Sequence, residues 1–340
     1  MDQGVPDQNR SVAESVVREL GVSENVRLAE SLVSEALGLI GDEPDTLDLK
    51  IATAALTEMR AAYRVFAPYR DESKVSIFGS ARTRPDDPLY AQARDLASML
   101  AERGWMAVTG AGPGIMQAGM EGAGRERSIG VSIRLPFETG ANDIIAGDAK
   151  HVSMKYFFTR KLMLIKESQA FVCLPGGFGT IDETFELLTL VQTGKSLPVP
   201  IILLDSPGDP FWEHVDGLVR HQLIDRGLVS PRDTGLYTIT DSCADACRII
   251  EDFYANYHSI RFVGNRLIIR LRTGPTDGQL ALLNERYSHL CTAGGIERSD
   301  ATRAERRDDD HLELDRLALE FTHHGYSDLI ALIRELNSWV

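Results

Sequence analysis

A chain of 340 residues that is 43% hydrophobic can build a substantial core, as one large domain with appendages or as two domains. Its net charge of −14 and pI near 5.1 exclude general affinity for nucleic acid, which depends on lysines and arginines neutralising phosphates. No apolar run approaches the roughly 20 residues of a bilayer span, and Met1-Asp2-Gln3-Gly4 lacks a basic-then-apolar signal, so a cytoplasmic protein without membrane contact is expected.

Helical periodicity marks Val12 to Leu20, Leu28 to Leu39 and Leu47 to Tyr69, broken near Gly41-Asp42-Glu43-Pro44. The opening ten residues are polar and are expected to be disordered. Residues 1–72 therefore read as a helical extension. A different rhythm begins at Val75-Ser76-Ile77-Phe78-Gly79-Ser80, an apolar run stopped by Gly-Ser. Helix Pro88 to Arg103, strand Met106 to Gly110, a helix holding Ile115, Met116 and Met120, and strand Ile129 to Ile133 follow. After a polar excursion through Asn142 and Asp143, Tyr156 to Ser168 reads as helix and Phe171 to Leu174 as a strand buried on both faces. Thr180, with Glu183 three residues on, has the capping-box pattern of a helix start. Strands at Val199 to Leu204 and Tyr237 to Thr240 alternate with helices at Phe211 to Arg226 and Ser242 to Tyr254. This alternation over residues 73–257 predicts an α/β fold, a doubly wound parallel sheet with helices on both faces.

Beyond Tyr257 the alternation stops. A strand at Arg266 to Leu271, a helix at Gly278 to Leu290, a charged loop at Ser299 to Asp310, a strand near His311 to Phe321 and a helix at Ser327 to Leu336 make residues 258–340 a small α+β appendage. His323-His324 has no acidic or cysteine partner at ligand spacing and reads as solvated histidines, so no metal is expected. Cys173, Cys243, Cys247 and Cys291 show neither CxxC nor paired Cys/His spacing and read as reduced thiols.

Three glycine-bearing loops fall at strand ends: Gly79-Ser80, Gly110 to Gly114, and Pro175-Gly176-Gly177-Phe178-Gly179-Thr180. In an open parallel sheet the ligand crevice lies there. A G-x-G-x-x-G dinucleotide frame fails twice, since Ile115 and Asp182 stand where its last glycine belongs. Gly194-Lys195-Ser196 resembles the end of a P-loop, but Thr189 replaces the leading glycine. A mononucleotide site remains, with free N–H groups at a helix N-terminus to receive phosphate. Arg160 and Lys161 put adjacent cations on the helix before the key strand; they are either a solvated face or a phosphate-side pair. Glu183 and Glu186 share a helix face past the loop, where a carboxylate beside a ribose stabilises an oxocarbenium ion or orients water.

These residues resemble the LONELY GUY (LOG) family, once commonly labelled lysine decarboxylase-like. Pro175 to Glu183 matches its PGGxGTxxE motif, Thr109 to Met116 its TGxGPGIM loop, Phe158-Thr159-Arg160-Lys161 its arginine–lysine motif, and Phe78-Gly79-Ser80 its first strand-end signature. The resemblance covers roughly Lys74 to Tyr257. It implies a Rossmann-like homo-oligomer, at least a dimer, that hydrolyses the N-glycosidic bond of nucleoside 5′-monophosphates (AMP, cytokinin riboside monophosphates) to base and ribose 5-phosphate, without a cofactor. By motif position Arg160 and Glu183 are the catalytic pair. Gly79, Ser80, Gly110, Gly112, Gly114, Met116, Lys161, Pro175, Gly176, Gly177, Gly179, Thr180 and Glu186 are the substrate-binding set. A non-catalytic carrier of a nucleotide or phosphate-bearing cofactor is the main rival. A decarboxylase would need a lysine placed for pyridoxal phosphate, and neither Lys161 nor Lys195 has that context. A purely regulatory role through the appendages leaves the core motifs without a purpose.

Overall fold

The computed structural model describes residues 7–135 and 140–340. Positions 1–6 of the polar opening lie outside them, whereas residues 7–10 already form the first turns of a helix rather than a disordered tail. The chain divides into two compact units between Arg60 and Ala61. In the first, α1 (Asp7–Glu19) packs on α2 (Val26–Gly41), and α3 (Thr46–Phe66) begins there and continues into the second.

The second unit is built on a seven-stranded, all-parallel sheet. In chain order its elements are β1 (Lys74–Phe78), α4 (Pro88–Glu102), β2 (Met106–Thr109), α5 (Ile115–Ala123), β3 (Ser128–Ile133), β4 (His151–Met154), α6 (Phe157–Lys166), β5 (Ala170–Cys173), α7 (Phe178–Gln192), β6 (Ile201–Leu204), α8 (Phe211–Leu218), β7 (Thr238–Thr240) and α9 (Cys243–Phe253). The strands lie in the order β4-β3-β2-β1-β5-β6-β7. The central strands are buried along their whole length, which is why Val75-Ser76-Ile77-Phe78 and Phe171-Val172-Cys173 read as unbroken apolar runs.

Side-chain alternation divides the core. Val75, Ile77, Ala107, Ala170, Val172, Ile202 and Leu204 pack on one face against α4, α5 and α9. Ser76 points the other way, where its hydroxyl donates to the Leu164 carbonyl of α6 at 2.9 Å, and Phe78 stacks on Phe171 with ring centroids 6.2 Å apart. Helices on both faces of a parallel sheet make this the expected Rossmann-like, doubly wound fold.

Differences are local. β4 was not expected: its exposed, polar alternation marks it as the sheet's edge strand. The helix from Phe211 is regular only to Leu218 and widens into a π-helical stretch at Val219–Ile224. After α9 comes an antiparallel four-stranded sheet, ordered β10-β11-β9-β8, of β8 (Tyr257–Val263), β9 (Arg266–Leu271), β10 (Glu297–Arg298) and β11 (Asp315–Glu320). α10 (Asp277–Tyr287), α11 (Arg303–Asp308) and α12 (Tyr326–Asn337) complete it. The segment expected as a charged loop, Ser299 to Asp310, contains α11, which Thr302 starts through a capping box with Glu305. Glu305 is fully buried and receives Arg270 and Arg316 at 2.9 and 3.2 Å, an internal tie within a segment whose Arg303, Arg306 and Arg307 are exposed. α12 binds the sheet to the core: the Asn337 carboxamide oxygen accepts from the Asn256 and Tyr257 N–H groups, and its nitrogen donates to the Phe253 carbonyl.

Candidate active site

Chain order runs outward from β1 through β2, β3 and β4 on one side and from β5 through β6 and β7 on the other. The crevice of such a sheet opens at that reversal, above the carboxyl ends of β1 and β5. Hydrogen bonds stitch the loops there together. Leu174 N donates to the Phe78 carbonyl (2.8 Å), Ser80 N to that of Pro175 (3.3 Å), and Ile115 N to that of Ser80 (3.0 Å). The loop from Gly110 to Gly114 is strapped from outside: Asn142 donates its backbone N–H to the Ala111 carbonyl (2.8 Å) and its carboxamide to that of Gly112 (3.0 Å). Ala111 is held at φ +57°, a left-handed conformation that non-glycine residues seldom adopt.

The three loops enclose a cavity of about 740 Å³. Gly79, Ser80, Gly110, Gly112, Met116, Gly176, Gly177, Gly179 and Thr180 line it, together with Arg160 and Glu183. Four of the anticipated residues do not. Gly114 caps the start of α5, and Pro175 contributes only its carbonyl to Ser80. Lys161 turns to Asp182 and Glu186, 2.7 and 2.6 Å away, so Lys161 and Glu186 form a clamp between α6 and α7 behind the cavity wall. Burial acts to lower the Lys161 ammonium, but these two carboxylates outweigh it and raise its pKa.

α7 starts at Phe178 with Gly177 at its N-cap, so Thr180 lies inside the first turn and is not the cap. The glycines let the chain enter the helix three residues early, and the Glu183 carboxylate, which a capping box would return to the backbone, goes to Arg160 instead. The first-turn N–H groups of α7 face no preceding helical carbonyl and, with the dipole, turn positive potential toward the cavity wall.

Arg160 and Glu183 flank β5, one on the helix before it and one on the helix after it. Arg160 is 8% exposed; its Nε donates to the Val131 carbonyl of β3 at 3.0 Å and its Nη1 to Glu183 Oε1 at 3.1 Å. The guanidinium can lie flat here because Gly110 has no side chain: a Cβ there would meet Met116 Sδ at 2.6 Å and sit closer still to Arg160 Nη2. Burial raises the Glu183 carboxyl above its ordinary range, and Arg160 and then Lys161 oppose that rise. The same burial drives Cys173, under the loop, up to about 12 and leaves it an inert thiol. Exposed Phe157 (53%) and Phe178 (96%) form the rim.

Comparison with known proteins places this geometry in a family. Residues 113–250 match the family model described as "Possible lysine decarboxylase". The cytokinin riboside 5′-monophosphate phosphoribohydrolase of Mycobacterium tuberculosis is 30% identical over 175 residues, 47% of this chain and 87% of that protein. The chain belongs to the LOG family. Another LOG protein, the probable phosphoribohydrolase LOG4 of Oryza sativa subsp. japonica, is 32% identical over 178 residues, 50% of this chain and 73% of that one. Among solved structures, the molybdenum cofactor carrier protein of Chlamydomonas reinhardtii aligns over 53% of this chain and 96% of its own at 18% identity, with a TM-score of 0.36. The LOG family model stops short of β8, so the C-terminal sheet and α1 to α3 lie outside it.

Sequence reasoning missed several cavity residues: Ser132 and Ile133 at the end of β3, Leu135 just beyond it, Phe157 at the start of α6, and Phe211 at the start of α8. Strand parity from Val131 would have turned Ser132 and Val131 to opposite faces. Nothing local in the sequence marks β3 as a wall of the site.

Proposed function

We propose that this LOG-family chain hydrolyses the N-glycosidic bond of nucleoside 5′-monophosphates, AMP and cytokinin riboside monophosphates among them, to free base and ribose 5-phosphate. The observation that carries this is the buried Arg160–Glu183 pair on a cavity whose opposite resource is a helix N-terminus with a glycine loop. Phosphate sits at the first turn of α7. Glu183 lies five residues into that helix, about 7.5 Å along its axis, and so comes beside the ribose. As the bond to the base lengthens, positive charge grows at C1′, and the Glu183 carboxylate stabilises it while orienting water. Arg160 engages Oε1 of Glu183, and Oε2 is the oxygen this reading assigns to C1′ and water. Burial opposes ionisation of Glu183 and raises its pKa, and the adjacent guanidinium, then Lys161, acts against that rise and favours the charged form. Arg160 thereby serves both as counter-ion and as support for the nucleotide.

Residues 73–257 are the catalytic core in this reading. A homodimer at the cavity mouth belongs to it as well, supported by the exposed Phe157, Phe158, Leu162 and Phe178 side chains. A cytoplasmic setting fits four unpaired cysteines, two of them buried. The test is incubation of the purified protein with AMP and isopentenyl-AMP, assaying free base and ribose 5-phosphate. Release from neither, nor from a wider panel of monophosphates, by folded protein sinks the reading. Glu183→Gln is expected to bind nucleotide and not cleave it.

A further inference from the structure

Resting on the hydrolase reading, we propose that Ser132 donates a hydrogen bond to the departing base and that His151 orients its hydroxyl for that task. The Arg160–Glu183 pair supplies a carboxylate for C1′, but it leaves the other half of the reaction unassisted. When the C1′–N bond breaks, its electron pair stays on the base, and an unprotonated purine is a poor leaving group without a donor. Arg160 commits Nε to the Val131 carbonyl and Nη1 to Glu183.

Ser132 follows Val131 on β3 and lines the cavity although it is only 7% exposed. It stands between the carbonyl that fixes Arg160 and the apolar wall of Ile133 and Leu135 farther along the same segment, where a base has a surface to lie on. Its Oγ is 2.9 Å from His151 Nε2. His151 comes from β4, in register with Gly130 rather than with Ser132. The ring reaches Ser132 across Gly130, where a Cβ would stand 3.3 Å from His151 Cδ2 and 3.0 Å from the Ala111 Cβ. One glycine thus admits both the strained loop residue of the site and the imidazole behind Ser132.

Burial lowers the His151 pKa, so the ring is neutral at pH 7, with one nitrogen a donor and the other an acceptor. With the proton on Nε2, the ring donates to Ser132 Oγ and leaves the hydroxyl hydrogen free to point into the cavity. The bond order then balances simply. Water oxygen bonds C1′, the C1′–N pair remains on the base, and the proton released by water is the one the base gains. Ser132 lends a hydrogen bond throughout and is unchanged at the end; His151 touches no substrate and is a positioning residue.

The test compares AMP with 7-methylguanosine 5′-monophosphate, whose base already carries a positive charge and departs as a neutral molecule. Ser132→Ala is expected to lower kcat on AMP by about 100-fold, the lower range for removing one positioned hydrogen-bond donor. It should lower kcat on the methylated substrate by less than about threefold, since no negative charge develops on that base for the donor to stabilise. His151→Gln should show the same contrast at smaller size, and Ser132→Thr, which keeps the hydroxyl, should restore most of the AMP rate. Equal losses on both substrates, or unchanged AMP cleavage by Ser132→Ala, overturns the assignment while leaving the hydrolase intact. Cleavage of neither substrate by the wild type removes the hydrolase reading, and this inference with it.

Discussion

Gly110→Ala tests whether the placement of the Arg160 guanidinium limits the chemistry. Gly110 has no left-handed φ, so alanine fits its backbone, and the atoms in the way are the ends of two flexible side chains, Arg160 Nη2 and Met116 Sδ. A comfortable contact is about 3.5 Å, so the guanidinium must retreat by roughly 1 Å. It cannot do so and keep both Nε on the Val131 carbonyl at 3.0 Å and Nη1 on Glu183 at 3.1 Å. A misplacement of about 1 Å at a reacting site costs on the order of 100-fold, or about 2.7 kcal/mol of barrier. The fold should not suffer, since losing a glycine from the unfolded chain stabilises by about 0.4–1 kcal/mol and offsets part of the weakened ion pair. The assay is kcat/KM on AMP beside thermal unfolding, with Gly217→Ala, in open space on α8, as the control. A variant that melts like the wild type and retains its kcat/KM within about threefold refutes the claim that this contact positions Arg160 for catalysis.

Glu305→Ala should destabilise by about 3 kcal/mol in urea titrations, because it leaves buried Arg316 without this carboxylate and buried Arg270 with Asp310 alone. Burial alone would raise Glu305, but the Thr302 cap and the two arginines bring it down to about 2. Its contribution is therefore complete above its ordinary value of 4.5 and is lost as pH falls toward 2, so the stability gap between wild type and Glu305→Ala should close across that window. Glu183 predicts the opposite slope. Its folded pKa lies above the ordinary 4.5, so ionising it costs stability as pH rises from that value. Glu183→Gln should gain stability relative to wild type between pH 4.5 and neutrality, and a gap that stays flat or shrinks contradicts the assigned direction.

What the sequence discloses depends on how each segment is buried. β1, β2, β5 and β6 are covered on both faces, so their apolar runs announce a parallel sheet without any further information. β4 and β8 are covered on one face or lie at an edge, and their His, Ser and Arg residues conceal them. The capping-box pattern shows the same limit at finer scale. Thr302 and Glu305 obey it inside a segment that reads as a charged loop, whereas Thr180 and Glu183 carry the same spacing and do not, because Gly177 starts that helix and Arg160 claims the glutamate. The rule was legible at both places; which carboxylate had a competing partner was not.

That competition explains how the site is assembled. α6, β5 and α7 are consecutive, so Arg160 and Glu183 are brought together by one local crossover and their motifs stand only 23 positions apart. The pair is oriented by a contact from farther away, since Arg160 Nε is held by the carbonyl of Val131, two strands from β1 on the opposite side from β5. The strand that supplies this carbonyl also carries Ser132, and through it His151. Shifting β3 by one residue would remove the Arg160 anchor and turn Ser132 away from the cavity together. The register of β3 against β2, with Ala107 beside Ser128 and Thr109 beside Gly130, is therefore a condition for the site as well as for the sheet.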